Sequence, residues 1–203
     1  MSRDAFYQKV AAELFRGSLP SWQQEPLDRL IDEGLARKRT MEETAYVLAT
    51  AHHETARFKY MEEIGEGEGR DYGEPLLLIR GKLVKYHGRG FVQLTWLANY
   101  AKMSGYLGID LVNEPDKAKD PTVAAKIIWE GMIRGHFTGK NLADYINGDT
   151  VDYVGARRIV NGTDKADLIA DYARTFEGAL SMLGADAAVS GCDRSGCPLQ
   201  EAA

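Results

Sequence analysis

A chain of 203 residues fits one domain with room for a small appendage, and it can bury a core without metals or disulfide staples. Its residues are 44% hydrophobic and 27% charged, a globular balance that excludes a disordered chain. With 25 Lys and Arg against 30 Asp and Glu the net charge is −5, which excludes a generically basic nucleic-acid binder, and no apolar run reaches the roughly 18–20 residues that span a bilayer.

The first nineteen residues are charged and amphipathic, with no continuous apolar stretch of a secretory signal. The expected location is therefore the cytoplasm. Cys192 and Cys197 are the only cysteines, so neither a disulfide framework nor a cysteine nucleophile in the body of the chain is expected.

The chain reads as mostly helical. Phe6, Val10, Leu14 and Phe15 mark a helix over 4–15, and Leu27, Leu30, Ile31 and Leu35 mark a second over 24–36. Gly17-Ser18-Leu19-Pro20 separates them. Thr40 and Glu43 form a capping box that opens a third helix through TAYVLATAHHETA. Near-continuous apolarity predicts that this helix is buried on several sides. Seven glycines between 64 and 90 then predict loop, with short strands near Leu76–Ile79 and Phe91–Leu94. Helices are predicted again at 95–104, 122–135, 150–160 and 164–183, the last carrying Leu168, Ile169, Tyr172, Phe176 and Leu180. Residues 1–185 form the expected domain. Residues 186–203 read as a tail with no core of its own.

Glu54 lies near the end of the apolar third helix. A carboxylate there is costly unless paired or functional, and burial raises its expected pKa toward that of a general acid. A carboxylate at a solvated turn, or one paired with Arg57 at i+3, is the competing reading. Glu63 is nine residues on. The two can share a cleft only if the helix ends between them, which the glycine run from Gly65 allows. Glu62, Glu66 and Glu68 are equally acidic neighbours, so composition does not single out Glu63. In Tyr86–Tyr100, Gln93 and Thr95 share one face if the segment is a strand, with Asn99 following at i+4. Such polar groups among aromatics suit a carbohydrate surface. The alternative is a helix start with Thr95 as N-cap. His52-His53-Glu54 is not a zinc-protease motif, and the Gly65–Gly69 run follows a helix rather than a strand, which argues against a phosphate loop. No metal and no cofactor are expected.

The pieces AHHETARF, EEIGEGEG, YHGRGFVQLTWLANY, LGIDLVNEPDKAKDP, GHFTGKNL and ARRIVNGTD stand in this order over about residues 10–182. Together they resemble glycoside hydrolase family 19, and within it the phage and prophage endolysins. The resemblance implies a mainly α, two-lobed, lysozyme-like fold with a small β/loop element at the cleft. It implies Glu54 as general acid, Glu63 as general base and Thr95 as the residue holding the attacking water. Gln93, Asn99 and Asn161 match sugar-binding positions, and Tyr86, Arg89 and His53 complete the expected substrate-binding set. In plant chitinases of the family an arginine after the Asn-Gly pairs with the acid. No residue at Asp164–Asp167 matches it, which leaves Arg57, Arg89 and Arg157 as candidates. The implied reaction is inverting hydrolysis of β-1,4 bonds between amino sugars. Peptidoglycan glycan strands are the expected partner, with muramidase bond choice, release from the cytoplasm through a membrane pore, no membrane insertion and a monomeric state. A chitinase, or a glycan-binding protein without catalysis, is the alternative.

Overall fold

The computed structural model describes residues 3–73, 77–79 and 81–189. Helix α1, Asp4–Leu14, turns Phe6, Val10 and Leu14 inward at four-residue spacing. Helix α2, Ser21–Ala36, starts directly after Pro20, three residues before the predicted position. Leu27, Leu30 and Ile31 are buried as expected, but Leu35 is 66% exposed. It falls on the edge of the stripe, whose centre is Gly34. A Cβ at Gly34 would lie 2.7 Å from the Trp129 ring. The indole Nε1–H donates to the Leu30 carbonyl at 2.9 Å.

Helix α3, Met41–Glu54, opens with the predicted capping box, both of whose bonds form. Every residue from Glu43 to His52 is buried, so α3 is the central helix. Ala45, Ala49 and Ala51 lie in its fully buried stretch, where small side chains let neighbouring helices approach. The neighbour with the most extensive contact is α6, Ala166–Val189. Its inner face carries Ile169, Ala170, Ala173, Phe176 and Ala179. Leu168, predicted inward, is 40% exposed because adjacent Ile169 occupies that direction. Helix α6 also runs past Leu183 to Val189, since Ala-rich GADAAV carries strong helix formers and no proline. The rest of the predicted tail, including Cys192 and Cys197, lies outside the described residues.

The second half departs further from the expected elements. Strands β1, Leu77–Ile79, and β2, Lys82–Val84, form an antiparallel hairpin. Phe91–Leu94 is not a strand. Gly90 and Gln93 have φ of 75° and 51°, left-handed values that break an extended run. Helix α4, Leu97–Leu107, follows Trp96 (φ 71°), so Thr95 is not its cap. Helix α5, Pro121–Arg134, is capped by Asp120, which accepts from the amides of Thr122 and Val123, and it stops at left-handed Gly135. The helix expected at 150–160 is instead a hairpin of β3, Ile146–Asn147, and β4, Thr150–Val151, then a 3₁₀ turn Gly155–Ile159.

Candidate active site

Glu54 is the last residue of α3. Immediately beyond it Ala56, Arg57 and Phe58 all take left-handed φ values of 48°, 66° and 62°. Non-glycine residues resist this conformation at roughly 1–2 kcal/mol each. Buried neighbours hold the turn: Phe58 is 3% exposed, and its amide donates to the Thr55 hydroxyl at 2.8 Å. The chain therefore reverses after the acid and does not carry the helix on.

The Arg157 guanidinium, on the 3₁₀ turn, lies 2.5 Å from Glu54 Oε1 through Nη1, and its Nε donates to the Asp164 carbonyl at 3.0 Å. Arg157 is 2% exposed. Of the three candidate arginines, this one pairs with the acid. Arg89 is committed to Asp116, 3.0 Å from its Nε. Arg57 sits in the left-handed turn, its carbonyl accepting from Gln23.

Glu63 lies on a short extended segment paired antiparallel with residues 88–90. Its amide donates to the Gly88 carbonyl at 2.8 Å, and the Gly90 amide donates to the Met61 carbonyl at 2.8 Å. The carboxylate is fixed at both oxygens, accepting from the Gly88 amide at 3.0 Å and from the Tyr72 hydroxyl at 2.9 Å. Burial, then the bond to Glu63, raises the Tyr72 phenol above its ordinary pKa, so it stays a donor. Neighbouring Glu62 pairs with His87 and Lys119 instead. Alternation along an extended segment separates the two glutamates, a distinction composition does not make.

Glu54 and Glu63 line one cavity of about 490 Å³, together with Gln93, Thr95, Asn99 and Asn161. Six of the nine predicted residues thus converge. Gln93 donates from Nε2 to the Gly90 carbonyl at 3.0 Å, and Asn99 from Nδ2 to the Thr95 carbonyl at 2.9 Å. Three predicted residues do not reach the cavity. Tyr86 is fully buried with its hydroxyl on the Val112 carbonyl. Arg89 is 5% exposed and turned to the opposite side of its segment. His53 is half-buried beside the acid without lining the cleft; burial pushes its imidazole below the usual pKa, with the Glu54 charge opposing. Tyr72, Trp96 and Phe137, not among the predicted residues, do line it. The rings of Tyr72 and Trp96 meet edge to face at 5.4 Å. Trp96, 45% exposed, had a legible signal as a large aromatic inside the polar motif.

Gly88 is where Glu63 and Gln93 approach each other. A Cβ there would lie 2.9 Å from Gln93 Oε1 and 3.3 Å from Glu63 Cβ. Gly88→Ala is expected to displace both side chains and lower turnover about tenfold or more, since misplacement near 1 Å costs up to about 10²-fold. Steady-state kinetics beside a melting curve check this. Turnover equal to the parent's would mean that the cleft adjusts freely.

His52 precedes the acid by two residues. It is 4% exposed, its ring against those of Phe15, Phe58, Tyr172 and Phe176. Burial lowers its pKa to about 4 from the ordinary 6.5. The unfolded chain then binds a proton that the folded chain refuses, so this group's contribution is complete above pH 6.5 and is lost as pH falls toward 4. His52→Phe is expected to flatten the stability–pH slope in that window by up to about one proton, or 1.4 kcal/mol per pH unit. Denaturant unfolding at pH 4.5 and 7 measures it, and parallel slopes would rule the effect out.

Residues 5–141 match the family model for chitinase class I, glycoside hydrolase family 19. An endochitinase of Arabidopsis thaliana is 37% identical over 106 residues, 50% of this chain and 36% of that protein. Chitinase 5 of Oryza sativa subsp. japonica is 35% identical over 113 residues, 51% and 38% of the two chains. The match thus spans little more than a third of these curated relatives. Among solved structures, a bacterial family 19 chitinase superposes with a TM-score of 0.64 at 26% identity, over 88% of this chain and 94% of that one. Chitinase C from Streptomyces griseus HUT6037 shares the fold at 21% identity and a TM-score of 0.59, over 90% and 76%. The mainly helical, lysozyme-like architecture expected from sequence is the one observed, and with more than half its length matched, the chain belongs to glycoside hydrolase family 19, chitinase class I.

Proposed function

We propose that this chain hydrolyses β-1,4 bonds between amino sugars by single displacement with inversion. The observation that carries the reading is one cavity lined by two differently held carboxylates, Glu54 on Arg157 and Glu63 on Tyr72 and Gly88. Glu54 gives its proton to the glycosidic oxygen, and the adjacent guanidinium neutralises the carboxylate left behind. Glu63 takes a proton from a water that attacks the anomeric carbon from the opposite face. Thr95 holds that water by its hydroxyl. Gln93, Asn99 and Asn161 supply amides for the sugar, and the exposed indole of Trp96 offers it an apolar face.

The polymer we propose is peptidoglycan, cleaved as by a muramidase of the endolysin kind, a reading supported by the motif resemblance over residues 10–182. The names of the curated relatives favour a second reading, cleavage of chitin. Incubation with purified peptidoglycan and with colloidal chitin, followed by mass spectrometry of the fragments, separates the two. Reducing-end MurNAc supports the muramidase, and reducing-end GlcNAc from peptidoglycan means a glucosaminidase. GlcNAc oligomers from chitin alone replace the proposal by a chitinase. Wall that is pulled down without being cleaved identifies a binding protein.

Side-chain roles divide binding from chemistry. Gln93→Ala and Asn99→Ala are expected to raise KM several-fold. Thr95→Val is expected to leave KM near the parent's and lower kcat by about tenfold or more, because it removes only the hydroxyl. Equal changes in KM across all three would reject the water-holding role.

A further inference from the structure

The segment that carries Glu63 has a second face. Glu62 and Arg89 are bridge partners in the pairing of residues 61–63 with 88–90. Successive side chains leave an extended segment on opposite sides. Glu63 therefore enters the cleft, while Glu62 enters a separate cavity of about 550 Å³ also lined by His87, Arg89, Asp116 and Lys119.

These five side chains form one charged cluster. His87 Nε2–H donates to Glu62 Oε1 at 3.0 Å, and Lys119 Nζ donates to Oε2 at 3.2 Å. Arg89 Nε lies 3.0 Å from Asp116 and 3.7 Å from Glu62. Arg89 Nη1 also donates to the carbonyls of Lys85 and His87, at 3.2 and 3.3 Å. His87 and Arg89 are both buried, at 2% and 5% exposure. Burial alone would push the Glu62 carboxyl up, but the bonds from His87 and Lys119 and the charges of Lys119 and Arg89 hold it below the ordinary carboxylate range.

Between His87 and Arg89 stands Gly88, whose carbonyl takes the Glu63 amide proton and whose amide donates to the Glu63 carboxylate. The cluster thus grips both neighbours of the residue that grips Glu63. Stability alone is a poor account of it. Glu62 is 37% exposed, and partly solvated pairs contribute roughly 0–1 kcal/mol each. Placement is a better account, because an error near 1 Å in a catalytic group costs up to about 10²-fold.

We infer that Glu62 is a positioning residue for the base, acting through His87, Arg89 and Gly88 to hold the Glu63 carboxylate in place without touching substrate. The inference rests on the reading of Glu63 as general base.

The test compares Glu62→Ala, Glu62→Asp, Glu63→Gln and the double variant Glu62→Ala/Glu63→Gln on purified peptidoglycan and on GlcNAc oligomers, using whichever is cleaved. Glu62→Ala is expected to lower kcat about tenfold, with KM and melting temperature near the parent's. Glu62→Asp should recover part of the loss. In the Glu63→Gln background the Glu62 change should have no further effect, since the group it positions is gone. Lys119→Met, which removes a half-buried partner of Glu62, should lower kcat in the same direction if Glu62→Ala folds poorly. Unchanged kcat in Glu62→Ala, or an equal loss in both backgrounds, overturns the positioning role while leaving Glu63 as base. Full turnover in Glu63→Gln overturns the base reading itself.

Discussion

Glu54→Gln and Glu63→Gln are each expected to lower turnover by about 10²–10⁴-fold, the usual contribution of a general acid or base, while leaving the fold intact. Glutamine keeps the size of both side chains. At position 54 the amide oxygen still accepts from Arg157, but the buried guanidinium loses its counter-charge, so Glu54→Gln is expected to fold and to melt a few degrees below the parent. At position 63 the two carboxylate oxygens accept from Tyr72 and from the Gly88 amide. An amide has one acceptor oxygen, but the Tyr72 hydroxyl can turn to accept from the new NH₂, so the structural loss is small. The measurement is reducing-end release at matched protein concentration, with circular dichroism melting beside it. Glu63→Gln turnover near the parent's would mean that the base lies elsewhere. Loss of both activity and cooperative melting would mean that these carboxylates hold the fold together and that the kinetic result says nothing of catalysis.

Arg157→Met is expected to lower the melting temperature by several degrees and to reduce activity. Removing one partner of a buried ion pair strands the other and costs about 3–5 kcal/mol. Glu54 is 21% exposed at its side chain against 3% for Arg157, so solvent relieves part of this and about 2 kcal/mol is the expected cost. In a chain of this size that corresponds to roughly 4–8 °C. The double variant Glu54→Gln/Arg157→Met should melt higher than Arg157→Met alone, because no charge is then stranded. Thermal unfolding of the parent, both single variants and the double variant measures the coupling. Strict additivity would mean that the 2.5 Å contact contributes nothing. Arg157→Lys does not rescue it by design, since an ammonium lacks the fork that meets Glu54 and the Asp164 carbonyl together.

Structure is legible in the sequence where local rules decide it. The Thr40–Glu43 box and the apolar run after it are properties of one helix, and α3 follows them. The segment Tyr86–Trp96 is the opposite case. Period-two alternation presumes extended residues throughout, and left-handed φ values at Gly90, Gln93 and Trp96 break the period three times. Gln93 and Thr95 still reach the cleft, whereas Tyr86 and Arg89, expected in the substrate-binding set, turn into the interior. Arg157 shows another limit. Arg57, Arg89 and Arg157 are chemically equivalent on paper. Only the fold decides which one is buried against Glu54, and the pairing spans 103 residues. Tyr72 and Phe137 have the same history, since nothing local to either announces a neighbour in the cleft.

That long-range pairing bears on how the molecule can be cut, fused or made. The family match ends at residue 141, and a fragment trimmed to that boundary would carry both carboxylates. It would lack Arg157, Asn161 and the whole of α6, whose face covers α3. During synthesis the same gap exists in time: the acid leaves the ribosome long before its counter-charge. Until residue 157 follows, the pair between Glu54 and Arg157 cannot form. The stretch that completes the site is therefore longer than the stretch that matches the family model, and the last third of the chain closes the site that its first third opens.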